Sequence, residues 1–459
     1  MAWLRRDPTG VRDLTVRAVL FKGTRDLLPI YALYGVLFAD HGLSTAQISL
    51  LLAIWSVTAF LLEVPSGAWA DTVSRRRLLV LSCVLQAACF ALWMLAPSFV
   101  GFALGFLVWG IAGALESGTF EALVYDDLVA RGEPSAYARI MGWARGAQES
   151  TVLVAILAAA PLFALGGYEL VGWVSVGVGL LHTLTALALP SAPVAISATA
   201  VDDLDDEPAP GPVGPHVKPG AASAGAPPSN SHGSTSSRYL AMLETGLSEA
   251  LHVRRVRRGV LLGALLYGVT AFDEYFGLLA VSGGASTSTS ALLVGVTVAG
   301  SLIGSLSAGR TEVVSNRTLA IALFVAGILF VAGALAVGAA RGPALVWVGF
   351  VGIGIAYGID FNAEVIAGAR LQDAIEGPAR ATVTSVSGLL SEIVALGVFA
   401  FVALATQWLA MSTTIALLGL VILVAAALTP TWLPPRHVAA RDRTENATPD
   451  QEGEREADR

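Results

Sequence analysis

Charge is what this chain most lacks. Only 14% of its 459 residues are Asp, Glu, Lys or Arg, while 55% are hydrophobic. Soluble domains carry roughly 25% charged residues, and a mean hydropathy of +0.68 is too high for a water-soluble protein of this size. The composition leaves a polytopic membrane protein, in which bilayer thickness sets element length and backbone polar groups must be satisfied internally. Cysteine is nearly absent. Cys83 and Cys89 lie in one apolar run, and alone they exclude a disulfide framework or a metal cluster. Neither a P-loop nor a G-x-S-x-G occurs, so ATP-driven transport and hydrolase chemistry have no support. Lysine is scarce and arginine replaces it; with the high Ala and Gly content this points to a GC-rich bacterial genome. The opening "MAWLRRDPTG" carries no apolar stretch followed by a small-residue cleavage site, so no removable signal peptide is expected. No cofactor and no nucleic-acid partner is called for.

Long apolar runs, by contrast, are abundant. A membrane helix needs about 20 predominantly apolar residues. Twelve runs qualify: 15–38, 47–70, 78–96, 99–126, 137–165, 168–189, 259–281, 288–309, 317–340, 343–370, 379–406 and 408–428. The fold class expected is therefore an all-α membrane protein with twelve transmembrane helices. Between the sixth and seventh runs the composition shifts to Pro, Gly, Ser and Asp, including "DDLDDEPAPGPVGP", which cannot bury enough apolar surface to order itself. The domains expected are a six-helix bundle over 1–190, a linker with an amphipathic helix over 191–258, a second bundle over 259–430 and a polar tail over 431–459. In the amphipathic helix Leu240, Leu243, Leu247 and Leu251 recur at helical spacing ahead of Arg254, Arg255, Arg257 and Arg258.

Arginines set the orientation, because cytoplasmic loops collect basic residues. Placing the N-terminus in the cytoplasm puts Arg75–Arg77, Arg131, Arg139, Arg310, Arg317, Arg370, Arg380 and the Arg254–Arg258 cluster on that side. The other side receives essentially only Arg341. Twelve spans return the C-terminus to the cytoplasm, which makes a multi-pass protein of the inner (plasma) membrane with both termini inside.

The halves also echo each other. Glu121 and Glu149 are separated like Glu364 and Glu392, Asp26 has a near counterpart in Asp273, and "GAWADTVSRRRLLV" answers "SAGRTEVVSNRTLA". Duplication of a six-helix unit gives this pattern. The loop after the second run spaces Gly67, Asp71, Arg75 and Arg76 in the order G-x-x-x-D-x-x-x-R-R. Here the chain resembles the major facilitator superfamily, whose loop motif is G-x-x-x-D-x-x-G-R-R/K. Ser74 stands where the family prefers glycine. In the second copy Ser307 and Thr311 replace the Gly and Asp, while Arg317 remains. The resemblance covers about residues 12–430. It implies two pseudo-symmetric six-helix bundles, alternating access, and a gate in which Asp71 meets a helix N-terminus of the other half and latches the cytoplasmic side. Arg75 and Arg76 would pair with nearby acids or lipid phosphates.

Ionisable residues at membrane depth are costly and are functional candidates by default. Runs 3, 6, 9 and 12 hold almost none. Asp26, Glu149, Asp273, Glu274 and Glu392 fall near the midplane; Glu116, Glu121, Asp360 and Glu364 lie deeper toward the cytoplasm. Arg25 and Arg145 stand as the only cations at that depth. Arg145 can pair with Glu149 four residues on, and Asp360 shares a helical face with Glu364. Carboxylates in such excess can exchange protons as water access alternates, whereas structural pairing and cation recognition are the alternatives. Asp126, Asp127 and Arg131 read as interfacial and His182 as a packed residue. Tyr31, Tyr34, Trp55, Trp109, Trp143, Tyr267, Tyr275, Phe276 and Tyr357 are candidate cavity aromatics. Run 5 ends in "AAAPLFALGG", where Pro161, Gly166 and Gly167 resemble the Gly-Pro signature of the family's drug exporters, although Ala160 replaces the glycine before the proline. The expectation is a proton-coupled secondary transporter of a small organic molecule, exporting it, and acting as a monomer in the lipid bilayer. Uptake symport and a non-transporting sensor are the rivals.

Overall fold

The computed structural model describes residues 10–191, 193, 253–375 and 380–435, except the side chains of Val64, Ala68, Asp71, Arg380, Ala381 and Thr382. The linker, most of the amphipathic helix and the tail beyond residue 435 lie outside the described residues. Among those described every regular element is helical.

The first apolar run, expected as one span, is broken. Helix α1 (Val11–Arg25) ends with Asp26 as its cap, a 3-10 turn covers Pro29–Ala32, and α2 spans Tyr34–Asp40. Proline explains the break. Pro29 has no N–H to donate, and it holds Leu28 extended (φ −112°, ψ 100°). A backbone N–H freed within the turn, that of Ile30, donates to Ser175 Oγ at 3.2 Å, as apolar surroundings require. Helices α3 (Thr45–Thr72), α4 (Arg75–Leu95) and α5 (Phe99–Glu116) follow. The fourth run is broken too. Gly118 sits at φ +67° and starts α6 (Thr119–Ala130), a conformation open to glycine at no steric cost. Helix α7 (Tyr137–Ala188) is interrupted at Gly166 and Gly167, so these glycines form the turn between runs 5 and 6 rather than an exporter signature inside a helix.

The second half repeats the opening break. Helix α8 (Arg254–Val269) runs into a 3-10 segment, Thr270–Tyr275, and then α9 (Phe276–Ser282). The Arg254–Arg258 cluster forms the first turn of this described helix, while the leucines expected to form an amphipathic helix ahead of it lie outside the described residues. Helices α10 (Thr287–Thr311), α11 (Asn316–Gly338), α12 (Pro343–Ala374), α13 (Arg380–Ala405) and α14 (Met411–Trp432) complete the chain. Ten segments among the described residues are long and apolar enough to cross a membrane. The expected twelve differ by local causes: α1 and α2 are each short, and Pro134–Ala188 counts as one stretch across its glycine break.

Small residues allow the closest packing. Gly300 and Gly304 on α10 face Gly354 and Gly358 on α12. A Cβ at Gly304 would sit 1.9 Å from the Gly358 carbonyl oxygen, and one at Gly300 would sit 2.0 Å from that of Gly354. Two facing G-x-x-x-G pairs bring backbones together where lipid supplies no hydrophobic drive for helix association. Large apolar side chains such as Leu95, Leu165, Ile303, Leu306 and Ile321 remain exposed, the outward apolar surface of a bilayer protein.

Helices α1–α7 pack mainly among themselves, as do α8–α14; α3 meets α13, and α7 meets α10, across the divide. Among the described residues the hydrogen bonds that cross are those of Ser49 with Tyr275 and of Ser56 with Glu392. Gly35 approaches the Glu274 backbone, and Gly295 packs against Leu157. These contacts run from the end where α3 begins to about its middle. Toward the Arg75 end, Cβ positions at Gly113, Gly142, Gly146 and Gly388 meet nothing within 4 Å. Among the described residues, the printed contacts between the halves therefore gather on the side away from Arg75.

Candidate functional site

The loop motif builds a clamp inside the first half. Val73 leaves the helix in extended conformation, and Ser74 caps α4. Arg75, at the first position of α4, is buried at 4% exposure. Its guanidinium donates to Asp126 Oδ2 at 2.5 Å and to the Ala70 carbonyl at 3.3 Å. Arg75 therefore holds an acid of α6 and the end of α3 rather than lipid phosphate. Asp126 and Asp127 are buried within the protein, and Asp127 pairs with Arg131 at 2.5 Å. Gly67 is buried and Arg76 half-buried. The Asp71 side chain, and with it the expected latch, falls outside the described residues.

The second copy reaches a similar end with different chemistry. Arg370 on α12 donates to the Glu312 and Val314 carbonyls and to Asn316 Oδ1. The motif's own Arg317 is exposed. Asn362 ties Ser307 and Thr311, the degenerate positions, to α12 at 3.0 and 2.8 Å. In one half the loop supplies the arginine; in the other the helix does.

At membrane depth the two halves divide the charges unequally. In the first half, Glu116 ends α5 just before the Gly118 break, which aims it at α1. It accepts from Lys22 Nζ at 3.0 Å and from Arg25 Nε at 2.7 Å. Lys22 also reaches Glu121 at 3.3 Å. Asp26 accepts from Arg25 at 3.0 Å, from Tyr31 at 3.1 Å and from Gln148 at 2.5 Å. Beside this network His182 is buried, bonds Thr24 Oγ1 at 3.0 Å and packs on Phe21. Two cations thus hold three carboxylates. Sequence reasoning missed Lys22, one of only two lysines in the chain. The signal was available: Lys22 lies three residues before Arg25, on the same helical face.

The second half lacks that compensation. Asp273 and Glu274 lie in the 3-10 break, Asp360 and Glu364 on α12, and Glu392 on α13. The second half contains no lysine at all, and the arginine nearest along α12, Arg370, is turned to the 312–316 loop. Asp273 accepts from Tyr357 OH at 2.5 Å, and Glu392 from Ser56 of the first half. Asp360 is fully buried, and neither of its carboxylate oxygens has a hydrogen-bond partner among the described residues; Glu364 Oε2 is likewise unpartnered. From the first half, Arg145 and Glu149 project exposed side chains within electrostatic range of Glu364. No ion pair joins Arg145 to Glu149 among the described residues.

The aromatics divide as well. Tyr34, Tyr275, Phe276 and Tyr357 are core residues. Tyr31, Trp55 and Trp109 form a half-buried shelf, with centroids 5.3 Å apart for both Tyr31–Trp109 and Trp55–Trp109. Tyr267 and Trp143 are open, at 56% and 66% exposure.

Apolar helices long enough to cross a membrane, packed in two bundles with carboxylates at membrane depth, are the build of a membrane transporter rather than an enzyme. The chain belongs to the Major Facilitator Superfamily, whose family model matches residues 23–395. Among solved structures it is similar to a mutant form of the nucleoside transporter NupG, with a TM-score of 0.66 at 12% identity, covering 91% of this chain and 98% of that one. A bacterial homologue of the human lysosomal transporter Spinster, inward-facing and occupied, superposes with a TM-score of 0.63 at 16% identity, covering 93% and 97%. The human organic anion transporter MFSD10 gives 0.52 at 17% identity, covering 92% and 100%. At such identities these neighbours carry the fold alone. No functionally curated protein matches the chain in sequence.

Proposed function

We propose that this transporter exports a small organic molecule across the cytoplasmic membrane in exchange for protons, with Asp273, Asp360, Glu364 and Glu392 carrying the coupling. In this reading the chain crosses twelve times in two six-helix bundles, with both termini and the Arg75 loop in the cytoplasm. The observation that supports coupling is the unequal charge division. Burying a carboxylate without a partner is costly unless it takes up a proton. A helix that retains Asp360 and Glu364 with orphaned oxygens bears that cost for a purpose, and reversible protonation as the cavity changes sides is such a purpose. Asp26 and Asp273 occupy corresponding breaks, but among the described residues only Asp26 is paired with a cation. In this reading Asp26, Glu116 and Glu121 are held by Lys22 and Arg25 as structural groups. Exchange fits better than symport because one set of carboxylates cannot hold a proton and a substrate at once.

The test uses inside-out membrane vesicles, acidified internally by respiration. Addition of a transported compound should release the stored pH gradient in vesicles carrying the wild-type chain and not in those carrying Asp273→Asn or Glu364→Gln. Equal release by all three would remove these acids from the coupling path.

A further inference from the structure

The two halves make the same joint with different charge around it. In the first half Arg17 of α1 donates to the Ala188 carbonyl, at the end of α7, at 2.7 Å. In the second half Arg258 of α8 donates to the Thr431 carbonyl, in the last turn of α14, at 3.3 Å. These are corresponding contacts, first helix of a half to last. One turn earlier the correspondence fails. Asp13 stands four residues before Arg17 and pairs with it at 2.8 Å. The same place before Arg258 is taken by Arg254, and Arg255 and Arg257 add to it. Like charges four residues apart on a helix repel. Arg254, Arg255 and Arg257 are exposed, and among the described residues Arg254, Arg255 and Arg258 pair with no carboxylate. Asn316, at the start of α11, donates to the Leu433 carbonyl at 2.9 Å, which brings the exposed Arg317 beside the end of α14. A Cβ at Gly259 would meet Leu371 at 3.0 Å and Pro434 at 3.1 Å, so α8, α12 and the chain after α14 converge here. Glu312 and Asp373, two exposed acids at this end, form no ion pair among the described residues. Trp432 lies half-buried at the same level. Farther along, α11 and α14, which pack together, expose Ile321, Phe324, Leu420 and Val424.

We infer that this rim of the second half binds an anionic phospholipid, with the phosphate held among Arg254, Arg255, Arg258 and Arg317 and the acyl chains laid along the exposed apolar faces of α11 and α14. Scattered arginines at a membrane surface need no ligand. The missing acid singles this patch out. The half that carries Asp13 has its neutralising group built in, and the half that carries Arg254 instead takes the counter-charge from outside. A guanidinium has five N–H donors, and Arg258 uses one of them on Thr431, so it can hold a carbonyl and a phosphate oxygen together. Trp432 supplies an indole at the level where such rings meet headgroups, and basic sites between helix ends at that level recognise phosphate headgroups. Bound there, the lipid ties the start of α8 to the start of α11 and the end of α14. The site lies apart from the acids at membrane depth and would hold lipid whether or not the chain couples protons.

Thermal unfolding of the purified full chain in dodecyl maltoside, with added phosphatidylglycerol, phosphatidylcholine or soluble glycerol phosphate, tests this. A ligand that binds the folded chain raises its melting temperature. Phosphatidylglycerol should raise it by several degrees more than phosphatidylcholine, and glycerol phosphate should leave it unchanged. Arg254→Asp rebuilds the arrangement of the first half. That variant should melt no lower than the wild type without lipid and should lose the extra effect of phosphatidylglycerol, a combination that misfolding cannot imitate. Arg77→Asp, in the other half, should keep the effect. Equal action of the two lipids on the wild type, the full phosphatidylglycerol effect in Arg254→Asp, or its equal loss in Arg77→Asp would overturn the proposal. Stabilisation by glycerol phosphate as large as by the lipid would overturn it in favour of a free-phosphate site. A lipid effect that emerges only after Asp202, Asp203, Asp205, Asp206 and Glu207 are changed to amides would overturn it in favour of the chain's own acidic segment as the occupant.

Discussion

Asp26 and Asp273 stand at the corresponding breaks of the two halves, so the same substitution at each isolates what their surroundings do. Asp26→Asn removes one charge-assisted hydrogen bond, from Arg25 at 3.0 Å, and forces the new amide to meet Tyr31 and Gln148, which both donate to the carboxylate. A hydrogen bond to a charged group contributes about 1.5–3 kcal/mol. Arg25 retains Glu116 at 2.7 Å, so the loss should stay near the lower end of that range. At Asp273 the described side-chain partner is Tyr357, which can donate equally well to an amide oxygen. Asp273→Asn therefore removes a half-buried charge and no described cation contact, and its stability should match or exceed that of the wild type. Thermal unfolding of both purified variants in one detergent, paired with gradient-driven transport in liposomes, separates them. Asp26→Asn should melt several degrees lower and still couple; Asp273→Asn should melt no lower and fail to couple. The reverse pattern, or equal loss of coupling with equal stability, would refute the charge-division argument.

Other substitutions read other parts of the structure. Arg75→Met leaves Asp126 buried without its guanidinium, and breaking such a pair costs about 3–5 kcal/mol; the melting temperature should fall sharply, and the double variant with Asp126→Asn should recover part of it. Gly304→Val drives side-chain atoms into the Gly358 carbonyl and should abolish the folded yield, whereas Gly309→Val, whose Cβ meets nothing within 4 Å, should leave monodisperse protein by size-exclusion chromatography. Single cysteines introduced at Arg76 and Arg255 should resist an impermeant thiol reagent in intact cells, while one at Arg341 should react; Cys83 and Cys89 are buried and give little background. Reaction at Arg76 from outside would reverse the orientation.

The apolar runs were legible in the sequence because bilayer-spanning helices leave a compositional trace about 20 residues long. The breaks were not. Residues 15–38 average as one greasy stretch, and the decisive event there is a local one, Pro29 holding Leu28 extended. At Ser117–Gly118 a single positive-φ glycine turns Glu116 toward α1, which no hydropathy window detects. The acids could be picked out one by one, since each is an anomaly in an apolar run. Their partners could not, because Lys22 with Glu116, and Tyr357 with Asp273, join residues 94 and 84 positions apart. The loop motif left Arg75 two partners, a nearby acid or a lipid phosphate, and packing chooses the acid, burying Arg75 on Asp126.

The most direct test of coupled transport works with the substrate still unidentified. Liposomes containing the purified chain would be loaded with a small-molecule extract of cells, given a pH gradient, and the compounds leaving them followed by mass spectrometry. The account predicts that at least one small organic compound leaves with the wild type when the gradient is present, stays when the gradient is collapsed, and stays with Asp273→Asn. Efflux that ignores the gradient, or that Asp273→Asn carries as well as the wild type, would contradict it.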